Sequence, residues 1–220
     1  MKELENPIWT ALASAQSHLA RTAGAALRFP PDIAPFAAVA EAGVALDEAA
    51  LALIGANTYF LGALPQVAPG WRLKELGAVL QMVYQGGALA APPAAAICEL
   101  APDDPDMQEL TALAFPGYFR PRTGELGRYI GLREAGRLIA LSGERMDLGC
   151  WREVSAVCTH PEHTGRGYAR LLVSHIMQGM LEQGVTPMLH VGASNARARA
   201  LYESMGFAPT RELRHAQLTK

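Results

Sequence analysis

Two glycines and two arginines near residue 165 could bind a phosphate group. Gly165 and Gly167 flank Arg166 in the turn T-G-R-G, and Arg170 follows three residues later. Because glycine lacks a Cβ atom, the backbone can approach a ligand closely and direct successive N–H groups at it. A helix beginning here would add free N–H groups and the positive end of its dipole. The pattern predicts a phosphate or pyrophosphate site, although an ordinary strand–helix turn would look the same.

The elements around this turn follow from hydrophobic periodicity. Residues 154–159 form a short apolar run with β-branched members, which is typical of a buried strand. From Tyr168 the apolar residues recur at helical spacing, and Gly184 closes the helix before a second apolar run at residues 185–191. Strand, helix and strand together predict a βαβ unit with parallel strands and a right-handed crossover.

A second helix follows the βαβ unit. Ser194 or Asn195 is suited to cap it, and Gly206 is suited to end it before a return strand that begins at Phe207. Within N-A-R-A-R-A-L-Y-E-S-M-G-F, Ala198 and Tyr202 fall on one helical face.

Residues 151–207 strongly resemble the GNAT superfamily of acyl-CoA-dependent N-acyltransferases. The family's first motif, Gln/Arg-x-x-Gly-x-Gly/Ala, is similar to T-G-R-G-Y-A here, and its second motif fits Asn195, Ala198, Tyr202, Gly206 and Phe207. The resemblance implies an α/β fold with a GNAT-type mixed central sheet and flanking helices. It departs at Thr164, where the family usually has Arg or Gln, so one side-chain contact to the cofactor is expected to be missing.

The resemblance also implies acetyl-CoA as cofactor and assigns its contacts. Tyr202 would be the general acid that protonates the leaving thiolate. Backbone groups of the central strand would pair with the pantetheine arm and the thioester oxygen, as in strand addition. Asn195 would hold the cofactor or the neighbouring strand, but a plain helix cap explains it equally well. The expected cofactor contacts are Val157, Cys158, Thr159, Thr164, Gly165, Arg166, Gly167, Tyr168, Ala169, Arg170 and Asn195.

The proton acceptor is less well defined. Glu153 lies upstream on the central strand with the same parity as Val157 and Thr159 if no bulge intervenes, so its carboxylate could accept the amine proton directly or through water. Glu144, at the end of the preceding strand, is the alternative. A solvated charge at a strand end would explain either residue. The histidines are spread over different elements and are interpreted as structural, although His190 would point near the cleft in one of its two registers.

An aromatic and basic loop at residues 115–122 is the candidate acceptor site. In the family that the chain resembles, this region lines the acceptor pocket, which makes Tyr118, Phe119 and Arg122 candidate substrate contacts. A surface loop with packed aromatic residues is an equally good interpretation.

Composition narrows the remaining possibilities. Half of the residues are hydrophobic and the formal net charge is −2, so neither a nucleic acid nor an anionic membrane surface is expected as partner. The three cysteines lack the spacing of a metal site or a disulfide framework, so no metal is predicted. No signal peptide or membrane span is apparent, and a cytoplasmic protein is expected. The amine acceptor, a small molecule or a peptide, and the oligomeric state are not defined by the sequence.

The first part of the chain carries no recognisable motif. Residues 1–92 predict a smaller α/β lobe, compatible with a degenerate GNAT-like half, and residues 93–220 the acetyltransferase domain, with a Gly/Ala/Pro-rich linker at residues 86–93 between them. A first helix is predicted from Pro7 to about Thr22, and strands at residues 59–61 and 78–84.

Two readings of function come from different classes. The first is an N-acetyltransferase that moves an acetyl group from acetyl-CoA to a primary amine by direct attack. The second is a non-catalytic acyl-CoA-binding module that has kept the pyrophosphate turn. Retention of Tyr202 favours the enzyme, whereas Thr164 leaves the binding module open. A third possibility, a nucleotide-binding domain, is weak because G-x-G-x-x-G fails at Arg170.

Overall fold

The computed structural model describes residues 3–87 and 97–220. In its first part, α1 is followed by three short strands, a fourth strand and α2. Two more short strands lead to one long strand. The bounds are α1 Pro7–Ala13, β1 Arg21–Ala23, β2 Ala26–Arg28, β3 Ala37–Val39, β4 Ala45–Leu46, α2 Glu48–Ile54, β5 Tyr59–Leu61, β6 Gln66–Val67 and β7 Arg72–Tyr84.

The second part begins with a short strand and a helix and continues with a hairpin, the βαβ unit, a second helix and a long final strand. The bounds are β8 Ile97–Glu99, α3 Pro105–Ala114, β9 Tyr129–Glu134, β10 Arg137–Asp147, β11 Trp151–Thr159, α4 Tyr168–Glu182, β12 Thr186–Gly192, α5 Ala196–Glu203 and β13 Phe207–Thr219. The βαβ unit and the strand at residues 59–61 were both predicted from the sequence and are confirmed.

The first helix is shorter than its periodicity predicts. It runs over Pro7–Ala13 and not to Thr22, because the chain leaves helical geometry at Ser14. The buried Gln16 side chain then turns inward, and its amide donates to the carbonyl oxygens of Leu126 and Arg145. Apolar spacing alone did not reveal that a polar side chain would be drawn into the interior here.

One eight-stranded mixed sheet organises the molecule, in the order β5-β13-β7-β12-β11-β10-β9-β8. The long strand β7 from the first part lies between β12 and β13 and is antiparallel to both. The remaining short strands form a three-stranded sheet β1-β2-β3 and a two-stranded sheet β4-β6. The boundary predicted between residues 92 and 93 lies outside the described residues, and the large sheet contains strands from both sides of it.

The core on one side of the sheet is built on α4. Its fully buried face is formed at helical spacing and packs against β9, β10, β11 and β12, as predicted. The members of that face are Leu172, Val173, Ile176, Met177 and Met180. In residues 3–87 and 97–220, none of the helices has the length and apolar character that crossing a membrane would require.

Candidate active site

A wedge opens between the parallel strands β11 and β12. Trp151, Arg152 and Glu153 pair in register with residues 186–188, and the pairing stops there. On its other edge, β11 carries one extra residue relative to β10, and Ala156 in this bulge has φ of +54°. A non-glycine residue rarely adopts that conformation, and such strain is concentrated at functional sites. The bulge re-aims β11 just where the two strands part.

The wedge widens into a cavity of about 600 Å³, within the range of ligand pockets. One wall comes from the β11 bulge and the other from the end of β12 and the start of α5. Side chains from β7, β10, β13 and the loop after α3 close the far end. The walls of the wedge are Val154, Ser155, Ala156, Val157, His190, Val191, Gly192, Ala193, Ser194, Asn195, Ala198 and Tyr202.

The glycine turn lies beyond the end of β11 and leads directly into α4. Gly165 and Gly167 both have φ of +80°, and a Cβ atom added to either would meet no atom within 4 Å. Glycine is therefore required by the left-handed backbone, and open space remains for a ligand. Gly167 is the N-cap of the 15-residue α4 but offers no side-chain acceptor. The first turn of α4, which begins with Tyr168 and Ala169, contains no acidic side chain that could take the place of a bound anion.

The side chains around this turn make some contacts with other protein groups. Arg166 is half exposed and lies 3.9 Å from a carboxylate oxygen of Glu134, and Arg170 donates to Ser204. The hydroxyl of Thr164 donates back to the carbonyl oxygen of Pro161 at 3.1 Å. Thr164 is thus engaged within its own loop.

Tyr202 lies in the cavity wall on α5 and is 8% exposed. Its ring packs edge-on against Phe207, with centroids 6.0 Å apart. Among the described residues, no hydrogen-bond acceptor or donor contacts its hydroxyl, which therefore remains available to a ligand. Burial raises the pKa of Tyr202 to about 12, so the phenol stays protonated at neutral pH and can act as a proton donor.

Three other residues predicted to contact the cofactor, Asn195, Val157 and Cys158, lie in different surroundings. Asn195 caps α5, with its side-chain oxygen accepting from the N–H of Ala198 at 3.1 Å, and it also lines the cavity. Val157 lines the cavity, whereas Cys158 points to the opposite face, is 6% exposed and packs in the α3 core. Burial raises the pKa of the Cys158 thiol to about 12. Cys158 could therefore contact a cofactor in the wedge only through its backbone groups, and Thr159 is not among the residues that line the cavity.

Glu153 is held in a buried network that makes it a poor proton acceptor. Arg145 donates to both of its carboxylate oxygens, at 2.8 and 2.6 Å, and His190 Nδ1 lies 2.8 Å from one of them. Burial by itself would raise the pKa of Glu153, but the charge and hydrogen bonds of Arg145, together with His190, hold it well below its usual range. The geometry thus speaks against the general-base role predicted for Glu153, which instead orients Arg145.

The alternative base, Glu144, lies outside the cavity walls. Its carboxylate is 3.4 Å from Arg152, and burial raises its pKa. His190 is also occupied: Gln81 donates to the carbonyl oxygen of Leu4, so the same amide nitrogen, 3.0 Å from His190 Nε2, must be a donor there. His190 then carries its proton on Nδ1 and donates to Glu153.

The buried ion pair of Glu153 with Arg145 predicts a large loss of stability in Glu153→Gln. The substitution leaves the Arg145 charge without its partner. We expect the free energy of unfolding at pH 7 to fall by about 3–5 kcal/mol. Because the folded-state pKa is lowered, the wild-type advantage is complete above the unfolded pKa of about 4.3 and shrinks as pH falls below it. Urea unfolding at pH 7 and pH 4 measures both effects.

Glu125→Gln is the matched control, since Glu125 pairs with Arg122 at the exposed surface. Exposed ion pairs contribute little, so its unfolding curve should nearly overlay that of the wild type. Equal effects of the two substitutions would contradict the role assigned to the buried pair.

Only one of the three candidate substrate contacts predicted in the loop at residues 115–122 lines the cavity. Tyr118 lines it and stacks on Tyr59, with ring centroids 4.7 Å apart. Phe119 turns away and packs edge-on against Tyr129, and Arg122 lies at the surface, paired with Asp32 and Glu125. Neither of these two placements supports the acceptor contact predicted for it.

Sequence reasoning missed several cavity residues, among them Phe36, Arg145 and His215. They come from the first part of the chain, from β10 and from β13, and only the sheet order brings them together. A single sequence offers no short-range signal for them.

No metal was predicted, and the structure does bring three candidate ligands together. Ligand atoms of His160, Glu162 and His163 all lie within 4.8 Å of one another. The Arg137 guanidinium is 2.9 Å from His160 Nε2. A positive group this close opposes a further cation, and we assign the cluster no metal role.

The fold agrees with comparisons to known proteins. The FR47-like protein family model matches residues 129–215. A solved structure from Novosphingobium aromaticivorans, assigned to the GNAT family of acetyltransferases, is 35% identical with a TM-score of 0.84, and the match covers 99% of this chain and 98% of that chain. This chain belongs to the GNAT family.

Other relatives match less closely or over shorter stretches. A GCN5-related N-acetyltransferase from Kribbella flavida shares the fold, with 19% identity, a TM-score of 0.57 and coverage of 96% and 95% of the two chains. Mycothiol acetyltransferase of Kocuria rhizophila is 42% identical over 67 residues, 30% of this chain and 21% of that protein. The ribosomal protein bS18 alanine N-acetyltransferase of Salmonella typhimurium is 42% identical over 52 residues, 23% of this chain and 35% of that protein. The chain therefore spans well under half the length of these curated relatives.

Proposed function

We propose that this protein is an N-acetyltransferase that moves an acetyl group from acetyl-CoA to a primary amine. The observation that carries the proposal is Tyr202: a protonated phenol whose hydroxyl has no hydrogen-bond partner among the described residues, in the wall of a cavity that opens where β11 and β12 part. The glycine turn before α4 supports it, since free N–H groups and Arg166 suit the pyrophosphate of coenzyme A.

In the proposed reaction the neutral amine attacks the thioester carbonyl carbon directly. A C–N bond forms, the carbonyl oxygen becomes an oxyanion, and N–H groups of the β11 bulge are the proposed donors to it. When the C–S bond breaks, Tyr202 donates its proton to the leaving sulfur. The amine nitrogen loses one N–H proton to solvent as the intermediate collapses, because Glu153 is committed to Arg145, and solvent then returns a proton to the Tyr202 phenolate.

The alternative, a non-catalytic acyl-CoA-binding module, draws on Thr164, whose hydroxyl is turned into its own loop. Both readings require cofactor binding, and only the enzyme requires turnover. The deciding experiment measures acetyl-CoA affinity by calorimetry and then the release of free coenzyme A thiol with a panel of primary amines. Binding together with amine-dependent thiol release supports the enzyme. Binding without release for every amine would support the module, and the absence of binding would contradict both.

A further inference from the structure

The far end of the cavity is lined by aromatic rings and one arginine, and in this it differs from the wedge that would hold the thioester. Tyr118 stacks against Tyr59, at 4.7 Å, and against Phe36, at 6.3 Å between ring centroids, and the rings of Phe36 and Tyr59 are also 6.3 Å apart. The His215 ring lies 6.1 Å from Tyr118. The Arg145 guanidinium sits over the Phe36 ring, with its Cζ 4.9 Å from the centroid. The result is an aromatic wall with one cation set into it.

Arg145 has hydrogen-bonding capacity left over. Its Nε and Nη2 atoms donate to Glu153, in a fork that fixes the plane of the guanidinium. Within residues 3–87 and 97–220, no protein group accepts from its Nη1 atom, and Arg145 lines the cavity. Contact with Phe36 holds the group from one face. A rigid pair of donors is therefore presented to whatever fills this end of the cavity.

No described residue that lines the cavity is a carboxylate. The other titratable groups at this end are uncharged at neutral pH: burial raises the pKa of Tyr118, and burial together with the Arg145 charge lowers the pKa of His215. A polycationic acceptor would find a guanidinium and no counter-charge here. A flat, uncharged body carrying one carboxylate would find stacking partners and two donors.

We propose that the acceptor is an amino carboxylate with an aromatic body, such as an aromatic α-amino acid, whose carboxylate binds the free Nη1 edge of Arg145 and whose ring packs on Tyr118. This assignment rests on the proposed acetyltransferase function and names its substrate class. An α-amine also loses its proton more readily than a lysine side chain does, which suits a cavity wall without a carboxylate. Glu153 and His190 act through Arg145 as positioning residues.

The test compares tryptophan with tryptamine and phenylalanine with phenethylamine, using the intact protein saturated with acetyl-CoA and measuring thiol release. Each pair differs only in the carboxylate. We expect kcat/KM for the amino acid to exceed that of its decarboxylated partner by at least about 100-fold, because a buried ionic hydrogen bond is lost in the amine. Equal or higher kcat/KM for the decarboxylated amines would overturn the acceptor assignment and leave acetyl transfer itself intact.

If no amine in the panel is turned over, calorimetric titration of the acetyl-CoA complex decides between the outcomes. Binding of tryptophan but not of tryptamine would support the acceptor assignment even while the proposed catalytic function failed. Binding of neither, or of spermidine in preference, would overturn the assignment.

A pair of variants locates the effect at Arg145. Removing Arg145 alone would strand a buried carboxylate, so the informative variant is the double substitution Arg145→Met with Glu153→Met, which replaces the ion pair by apolar groups. Its acid-to-amine ratio of kcat/KM should fall to within about tenfold of one, with acetyl-CoA affinity unchanged. Arg122→Met, at an exposed arginine in the loop after α3, should keep the wild-type ratio. A double variant that also kept this ratio would refute the role of Arg145.

Discussion

Tyr202→Phe is expected to lower kcat by about 100- to 1,000-fold while leaving the dissociation constant of acetyl-CoA unchanged. The substitution removes a single oxygen from a ring that is 8% exposed, so packing against Phe207 is preserved. What disappears is the proton that the thiolate needs as it leaves, and general acid catalysis contributes about 10²–10⁴ to a rate. Steady-state thiol release at saturating acetyl-CoA, paired with calorimetry, measures the two quantities separately.

Tyr84→Phe is a closely matched control. Tyr84 also packs edge-on against Phe207, at 5.9 Å, but its hydroxyl donates to the carbonyl oxygen of Gly87. Its kcat should stay close to that of the wild type. A Tyr202→Phe enzyme with wild-type kcat would rule out the acid role, and equal losses in the two variants would point to packing at Phe207.

Gly167→Glu is expected to weaken acetyl-CoA binding by at least about 100-fold. The new side chain would place bulk and a negative charge at the N-terminus of α4, where we propose that the pyrophosphate binds. It would also have to adopt φ of +80°, which costs a non-glycine residue about 1–2 kcal/mol. Calorimetric titration with acetyl-CoA and with coenzyme A measures the loss.

Gly167→Gln separates these two causes, because it has the same size and the same backbone strain but no charge. Its affinity for acetyl-CoA should lie between that of the wild type and that of Gly167→Glu. It should exceed the affinity of Gly167→Glu by about tenfold or more. Identical losses in the two variants would show that strain or bulk, and not anion binding, explains the effect. Thermal unfolding of both variants checks that the fold is intact.

Sequence alone predicted the parts of the site that depend on short-range patterns. The glycine turn, the face of α4, the cap at Asn195 and the parallel pairing of β11 with β12 are all encoded within a few residues of one another. Elements of this kind carry their own signals in turn chemistry and periodicity. The same reasoning gave the face on which Tyr202 lies.

The charged and aromatic end of the cavity could not be predicted in this way. The apolar pattern placed Glu153 on the correct strand. Its partner Arg145, however, is fixed by the register between β10 and β11, which includes a bulge. Phe119 neighbours Tyr118 in sequence yet turns toward Tyr129 and away from the cavity. Which of two adjacent aromatic side chains faces a cavity depends on the surfaces offered by distant segments.

The position of β7 has a consequence for how the chain reaches its native state. Tyr84 pairs with Phe207 and Arg72 with Thr219, so the sheet is completed only by contacts between residues more than one hundred positions apart. Such non-local pairing slows folding, since loop-closure entropy is lost before the contacts form. A fragment beginning at β8 would hold the whole glycine turn and Tyr202, yet it would expose the facing edges of β12 and β13 along their length. Unpaired edges of this kind recruit other strands, so such a fragment is expected to aggregate rather than to work as a minimal enzyme.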